Sequence, residues 1–236
     1  MTAMALLECE KLTKRFGGLI ALKGVDLQLN KGEILGLIGP NGSGKTTLIN
    51  CVTGFYSPTA GKVILEGKDI TGLKDYEVNK KGIARTFQIP RPFPRLTVLQ
   101  NVIVGSRGDK DVAIRSLEEV GLHSIKDTLA KNLTTPQMRV LELARALATN
   151  PKVLLVDEVM AGLNSVEMEE TMSLLGKIRE EGLTLLWVEH VMRAIMKKAD
   201  RLIVLHEGEK IAQGNPSEIA SSPKVVEAYL GEKYML

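Results

Sequence analysis

The chain has 236 residues, enough to bury a substantial core as one domain with sub-lobes or as two small domains. Its 44% hydrophobic and 25% charged content is that of an ordinary globular protein. Only 4% of residues are aromatic and the +3 net charge is scattered, which argues against a module that stacks bases on rings; no nucleic-acid partner is expected. The two cysteines, Cys9 and Cys51, form no CxxC pair and read as small apolar fillers in a reducing cytosol. The sequence offers neither a secretory leader nor an apolar run near the ~20 residues of a membrane span, so a membrane role is expected to run through a partner.

In chain order, residues 5–16, 24–29 and 62–66 read as short strands separated by Gly and Lys turns, and are expected to form an antiparallel sheet. Residues 33–38 form a near-continuous apolar strand of the kind buried inside a parallel sheet. A glycine-rich turn follows, and a helix opens over 46–53. Residues 83–87 are strand-like. From 96 to 150 strand signals give way to helical periodicity over 96–104, 111–120 and 137–148, entered past Pro90, Pro92 and Pro94, a stiff non-helical hinge. Residues 152–157, 184–189 and 201–206 read as further core strands, the last turning at Glu207-Gly208. The alternation predicts an α/β fold. The expected layout is a single domain over 1–236, with core and β parts at about 1–88 and 151–236 and a helical part at about 89–150.

The stretch Gly39-Pro40-Asn41-Gly42-Ser43-Gly44-Lys45-Thr46 matches G-x-x-x-x-G-K-[ST] between a predicted strand and a predicted helix. Such a loop curls its N–H groups around an anion and adds the positive end of a helix dipole. Lys45 is expected to bridge the β- and γ-phosphates, Thr46 to ligate Mg²⁺, and Thr47 to support the phosphate. Asp157 and Glu158 close an apolar strand, where a carboxylate lies beside the ligand crevice of a parallel sheet. Asp157 is expected to hold Mg²⁺ and Glu158 to polarise the attacking water, the pair that phosphoryl transfer to water requires. A lone histidine at a strand end commonly caps or packs, but the place of His190, one strand beyond Asp157-Glu158, points to a γ-phosphate sensor.

With Gln88 following Thr86-Phe87, these motifs in this order resemble the ATP-binding subunit of an ABC transporter, over essentially the whole chain. The resemblance implies a P-loop NTPase with a RecA-like parallel core sheet, an N-terminal antiparallel β subdomain and a helical subdomain. It implies ATP and Mg²⁺ as cofactors, adenine stacked on Phe16, Gln88 touching both Mg²⁺ and a membrane subunit, and a dimer-contact loop at Ala161-Gly162-Leu163-Asn164. The segments Arg85-Thr86-Phe87-Gln88, Ala161-Gly162-Leu163-Asn164 and Ala228-Tyr229-Leu230-Gly231 look most like the branched-chain amino-acid branch; related branches serve other amides and lipopolysaccharide. Expected partners are a second ATP-binding subunit, transmembrane permease subunits and, indirectly, a substrate-binding protein, on the cytoplasmic face of the cell membrane.

One segment departs from the family. Its Leu-Ser-Gly-Gly-Gln signature is here Leu133-Thr134-Thr135-Pro136-Gln137. Thr134 keeps a hydroxyl, but Pro136 has no N–H and Thr135 crowds the backbone, so contact with a nucleotide held by the opposite subunit should weaken. Thr135 as N-cap with Pro136 at the first helical position would still make a sound helix start. A heterodimer is therefore expected, with this chain's own site facing a partner's intact signature. The rivals are weaker: a soluble ABC-type ATPase usually carries two such domains, and Asn79-Lys80-Lys81-Gly82 lacks the Asp of a guanine reader. Glu158 and His190 favour water over a kinase's acceptor.

Overall fold

The computed structural model describes residues 5–87 and 89–231, leaving aside the side chains of 230 and 231. Strands β1 (Ala5–Phe16), β2 (Leu19–Asn30), β4 (Ala60–Leu65) and β5 (Lys68–Asp69) form an antiparallel sheet in the order β2-β1-β4-β5. Strands β3 (Ile34–Ile38), β6 (Ile83–Arg85), β7 (Val153–Asp157), β8 (Thr184–Val188), β9 (Arg201–His206) and β10 (Glu209–Gly214) form a second sheet, ordered β10-β9-β3-β8-β7-β6. The pairs from β9 through β6 are parallel, and β10 returns antiparallel through the Glu207-Gly208 turn.

The parallel strands are apolar on both faces because both are covered. Leu35 and Leu37 of β3, with Leu186 and Val188 of β8, face helix α1 (Lys45–Val52) and the antiparallel sheet. Ile34 and Ile38 of β3, with Leu185 and Trp187 of β8, face the opposite layer. That layer includes α3 (Val98–Gly105), α4 (Lys110–Glu119), α5 (Thr135–Leu147), α6 (Ser165–Glu180) and α7 (Met192–Lys198). Each large side chain so buried contributes about 1.5–3 kcal/mol. Helix α1 is thus clamped between two sheets, which makes its first turn a rigid mount. Three further helices, α2 (Asp75–Lys81), α8 (Pro216–Ala220) and α9 (Pro223–Gly231), flank these layers. None of the described helices is long and apolar enough to cross a membrane.

Three expectations need correction. The second strand begins at Leu19, not 24, because Gly17-Gly18 forms the hairpin (Phe16 opposite Leu19) and Gly24 lies at a register shift inside the strand. Strand β6 stops at Arg85, short of 87; Thr86 still donates to the Leu155 carbonyl at 2.9 Å, and the chain then turns into the proline segment. The N-cap of α5 is Thr134, not Thr135. Its hydroxyl accepts the Gln137 N–H at 3.4 Å while the Gln137 side chain accepts the Thr134 N–H at 3.0 Å, closing a capping box with Pro136 in the first turn.

Both cysteines lie in the core between the two sheets. Burial pushes the Cys9 thiol from 9.0 up to about 12 and the Cys51 thiol up to about 11. Only the thiolate is nucleophilic, so the folded chain at pH 8 should show no fast thiol titration with Ellman's reagent. Both thiols should then titrate once denaturant is added.

Candidate nucleotide site

The loop between β3 and α1 is pinned from two sides. Ser43 is buried and its carbonyl accepts the Gly208 N–H at 3.0 Å, while the Gly208 carbonyl accepts the Lys23 N–H at 2.8 Å. Gly39 (φ 152°) and Gly44 (φ 105°) take backbone angles that side chains resist. A methyl at Gly44 would also sit 2.8 Å from the Ala21 carbonyl, and one at Gly39 would collide with the Leu205 carbonyl. Glycine at the α1 N-cap means that no side chain caps the helix, and no acidic residue occupies its first turn. That leaves a positive helix end suited to an anion. The Lys45 ammonium donates to the carbonyls of Gly39 (2.7 Å) and Pro40 (2.9 Å), with Ser43 Oγ at 3.5 Å. Asn41, Gly42 and Thr46 are exposed and Thr47 partly so.

Because β3, β8 and β7 are adjacent and parallel, the chain segments leaving them emerge at one edge of the sheet. This brings Gly39–Thr46, His190 and Asp157-Glu158 to the same edge. Asp157 is buried, and its Oδ2 accepts from the Arg85 guanidinium at 2.7 Å; Arg85 also donates to Asn50 Oδ1 on α1 at 2.5 Å. The sequence marked Arg85 only as part of the branch-like stretch 85–88 and gave it no role in the site, because an arginine ending a short strand looks like a surface charge. Here it neutralises a buried carboxylate, ties β6, β7 and α1 together, and lies 5.1 Å from the Phe87 ring centroid. Removing one partner of such a pair costs about 3–5 kcal/mol.

Glu158 takes the left-handed conformation (φ 49°), and its N–H is held by the Val188 carbonyl at 2.9 Å. Its Oε1 lies 2.6 Å from His190 Nε2. The His190 side chain is 44% exposed and that of Glu158 13%, so the pair opens to solvent through the imidazole. A carboxylate and an imidazole in hydrogen-bond reach can orient a water and take its proton. Glu189, not singled out in the sequence, is buried behind them; its only sequence signal is an acidic residue ending an apolar run.

Phe16 is 41% exposed and packs edge-on against Tyr56 at 5.2 Å between centroids, with the Lys14 ammonium 5.1 Å from the Phe16 ring. Tyr56, adjoined by Phe55, extends this aromatic platform beyond the predicted residue. In the stretch 161–164, expected to contact a second subunit, the Asn164 side chain accepts the N–H groups of Val166 and Glu167 and so caps α6. Gln88 lies outside the described residues. The segment 133–137 presents Thr134 and Thr135 to solvent.

These donors fit a nucleotide with its metal. An uncapped helix end and a buried ammonium suit phosphates, while an exposed Thr46 hydroxyl and the Asp157 carboxylate are the hard oxygen ligands that Mg²⁺ takes. Among the described residues no group of three His, Cys, Asp or Glu could hold an ion alone, so phosphate oxygens and water would have to complete its shell.

A parallel sheet carrying a phosphate loop on its central strand, with an acidic pair on a neighbouring one, defines a P-loop NTPase. The family described as ABC transporter matches residues 22–161, and one described as branched-chain amino acid ATP-binding cassette transporter matches residues 209–234. The high-affinity branched-chain amino acid transport ATP-binding protein BraF of Pseudomonas aeruginosa is 38% identical over 96% of this chain and 98% of its own length. Among solved structures, an ABC transporter cassette in its ADP conformation superposes with a TM-score of 0.90 at 36% identity, covering 97% of this chain and 99% of that one. A dimeric cassette in a post-hydrolysis state bound to ADP and Pi gives 0.79 at 29% identity, covering 89% and 98%. The chain belongs to the ABC transporter family, as an ATP-binding subunit that hydrolyses ATP.

Proposed function

We propose that this subunit powers import of branched-chain or closely related amino acids, docked on permease subunits at the inner face of the membrane and paired with a second, non-identical ATP-binding subunit. The observation that carries the cargo assignment is the branched-chain match over residues 209–234, together with full-length relatives named for that transport. The exposed Phe87, Ile89 and Phe93 around Gln88 offer an apolar surface where a permease can dock, and a substrate-binding protein delivers the cargo on the far side.

Gly39, Pro40, Asn41, Gly42, Ser43 and Gly44 wrap the phosphates, which draw the Lys45 ammonium off the loop carbonyls; Thr47 supports them and Phe16 with Tyr56 holds the base. Thr46, Asp157 and Gln88 would hold Mg²⁺, which would supply charge neutralisation to the phosphates. Glu158 accepts the proton of the attacking water, and His190 orients both Glu158 and the γ-phosphate. Closure places a partner's signature on this nucleotide, while Leu133-Thr134-Thr135-Pro136-Gln137 faces the partner's. Two features weaken that second contact. Thr134 and Gln137 already bond to each other's N–H groups, and Pro136 has none.

The tagged chain, pulled from detergent-solubilised membranes, should bring down permease subunits and a different cassette. Vesicles carrying that complex, supplied with its binding protein, should take up leucine, isoleucine or valine when loaded with ATP. Recovery with ribosomes, recovery as a homodimer, or uptake confined to polar amides would each overturn its part of the reading.

A further inference from the structure

Glu189 lies one residue beyond β8 and is 2% exposed. Its Oε1 accepts the Met160 N–H at 2.9 Å, and its Oε2 accepts the N–H of the next residue, His190, at 3.2 Å. The Val191 N–H adds a third backbone donor. No ion pair engages the carboxyl among the described residues. Burial raises its pKa above the ordinary value, the three N–H groups oppose that rise, and the charge of Glu158 adds to it. An acid kept in so unfavourable a place without a cation calls for a role that an apolar residue cannot fill.

The connections close a ring. From Glu158 the backbone runs two residues to Met160, whose N–H meets Glu189; the other oxygen of Glu189 holds the His190 N–H, and the His190 ring returns to Glu158 at 2.6 Å. The segment leaving β7 and the segment leaving β8 have different sequences and different neighbours. The Glu158 N–H bond to the Val188 carbonyl ties them where they leave the sheet, and beyond it one carboxylate, one oxygen to each, holds them together.

We propose that Glu189 is a positioning residue for ATP hydrolysis, locking the turn after Glu158 to the turn carrying His190 so that Glu158 and His190 stay in contact. The proposal rests on the roles given above to Glu158 and His190. Glu189 also reaches Met160, which leads into residues 161–164. A partner pressing on that loop therefore moves the hydrolytic pair through this carboxylate.

The test uses the complex with its partner cassette and MgATP. Glutamine has one acceptor oxygen for two segments, so Glu189→Gln should lower kcat about 5- to 10-fold and Glu189→Ala about 100-fold, with KM for ATP within about twofold. Hydrogen exchange at the Met160 amide should speed up at least about tenfold in both, while the Leu155 amide in β7 stays protected. Should Glu189→Ala fail to fold, Glu189→Gln, which keeps size and shape, carries the same readouts. Parent kcat in Glu189→Gln, a rise in KM matching the fall in kcat, or unchanged Met160 exchange would overturn the proposal. A His190→Ala control separates the two readings: if it turns over like the parent, the site assignment fails; if it is impaired while Glu189→Gln is not, only the positioning role fails.

Discussion

Replacing Glu158 by glutamine is expected to cut kcat for ATP hydrolysis by roughly 10²- to 10⁴-fold while ATP binding survives. The amide has nearly the shape of the carboxylate and can still accept from His190, but it cannot take the proton of an attacking water. Glu158 is not a phosphate-gripping residue in this geometry; it meets His190 at 2.6 Å, on a segment separate from Gly39–Thr46. Losing it should therefore leave the nucleotide trapped rather than lost. Equilibrium binding of a fluorescent ATP analogue, set beside steady-state release of phosphate, reads the two quantities apart. In the assembled complex the same change should remove most turnover, whereas the equivalent change in the partner should remove little. If instead Glu158→Gln left ATPase activity nearly intact and the partner's change abolished it, the proposed asymmetry would be reversed.

Lys45→Met should fail one step earlier, at binding. The Lys45 ammonium is buried and reaches the carbonyls of Gly39 and Pro40, so its charge is already held inside the loop. When phosphates arrive it exchanges two neutral acceptors for anionic ones and gains the Coulomb attraction between opposite charges. Truncating a buried, hydrogen-bonded charge costs about 2–5 kcal/mol, or roughly 30- to 4,000-fold in the Kd for MgATP. Methionine keeps the length and apolar stem, so helix α1 should stay folded between its two sheets. A titration showing parent affinity would mean that the loop N–H groups and the helix end bind the phosphates without the lysine.

The parallel core was legible because its strands are apolar on both faces, which only a sheet covered twice can tolerate. The phosphate loop was legible because few residue patterns permit its backbone angles. Other features depend on pairings that no local pattern announces. Arg85 and Asp157 are 72 residues apart, and only the β6–β7 pairing makes them an ion pair. Glu189 reads as the last residue of a strand until the turn at Met160 is folded against it. The limits of β2 were missed because Gly24, which reads as a break, lies inside a ladder that tolerates it at a register shift. Helix α6 carries a capping box, Asn164 with Glu167, which is a legible start. Its buried side chains are few (Met172, Leu175 and Ile178), so its apolar stripe is faint. The altered segment at 133–137 was visible as a departure, but its N-cap was misplaced by one residue, since two consecutive threonines offer equivalent hydroxyls.

The left-handed backbone at Glu158 sets stability against activity at a single residue. A non-glycine side chain held at φ 49° costs of order 1 kcal/mol or more. Glycine or asparagine would relax that turn, and both would remove the carboxylate. Glu66 (φ 50°) and Glu207 (φ 46°) take the same angle away from the site, so the angle alone marks no chemistry; with Glu158 as the base proposed above, selection for a sturdier fold alone would drift toward an inert chain here.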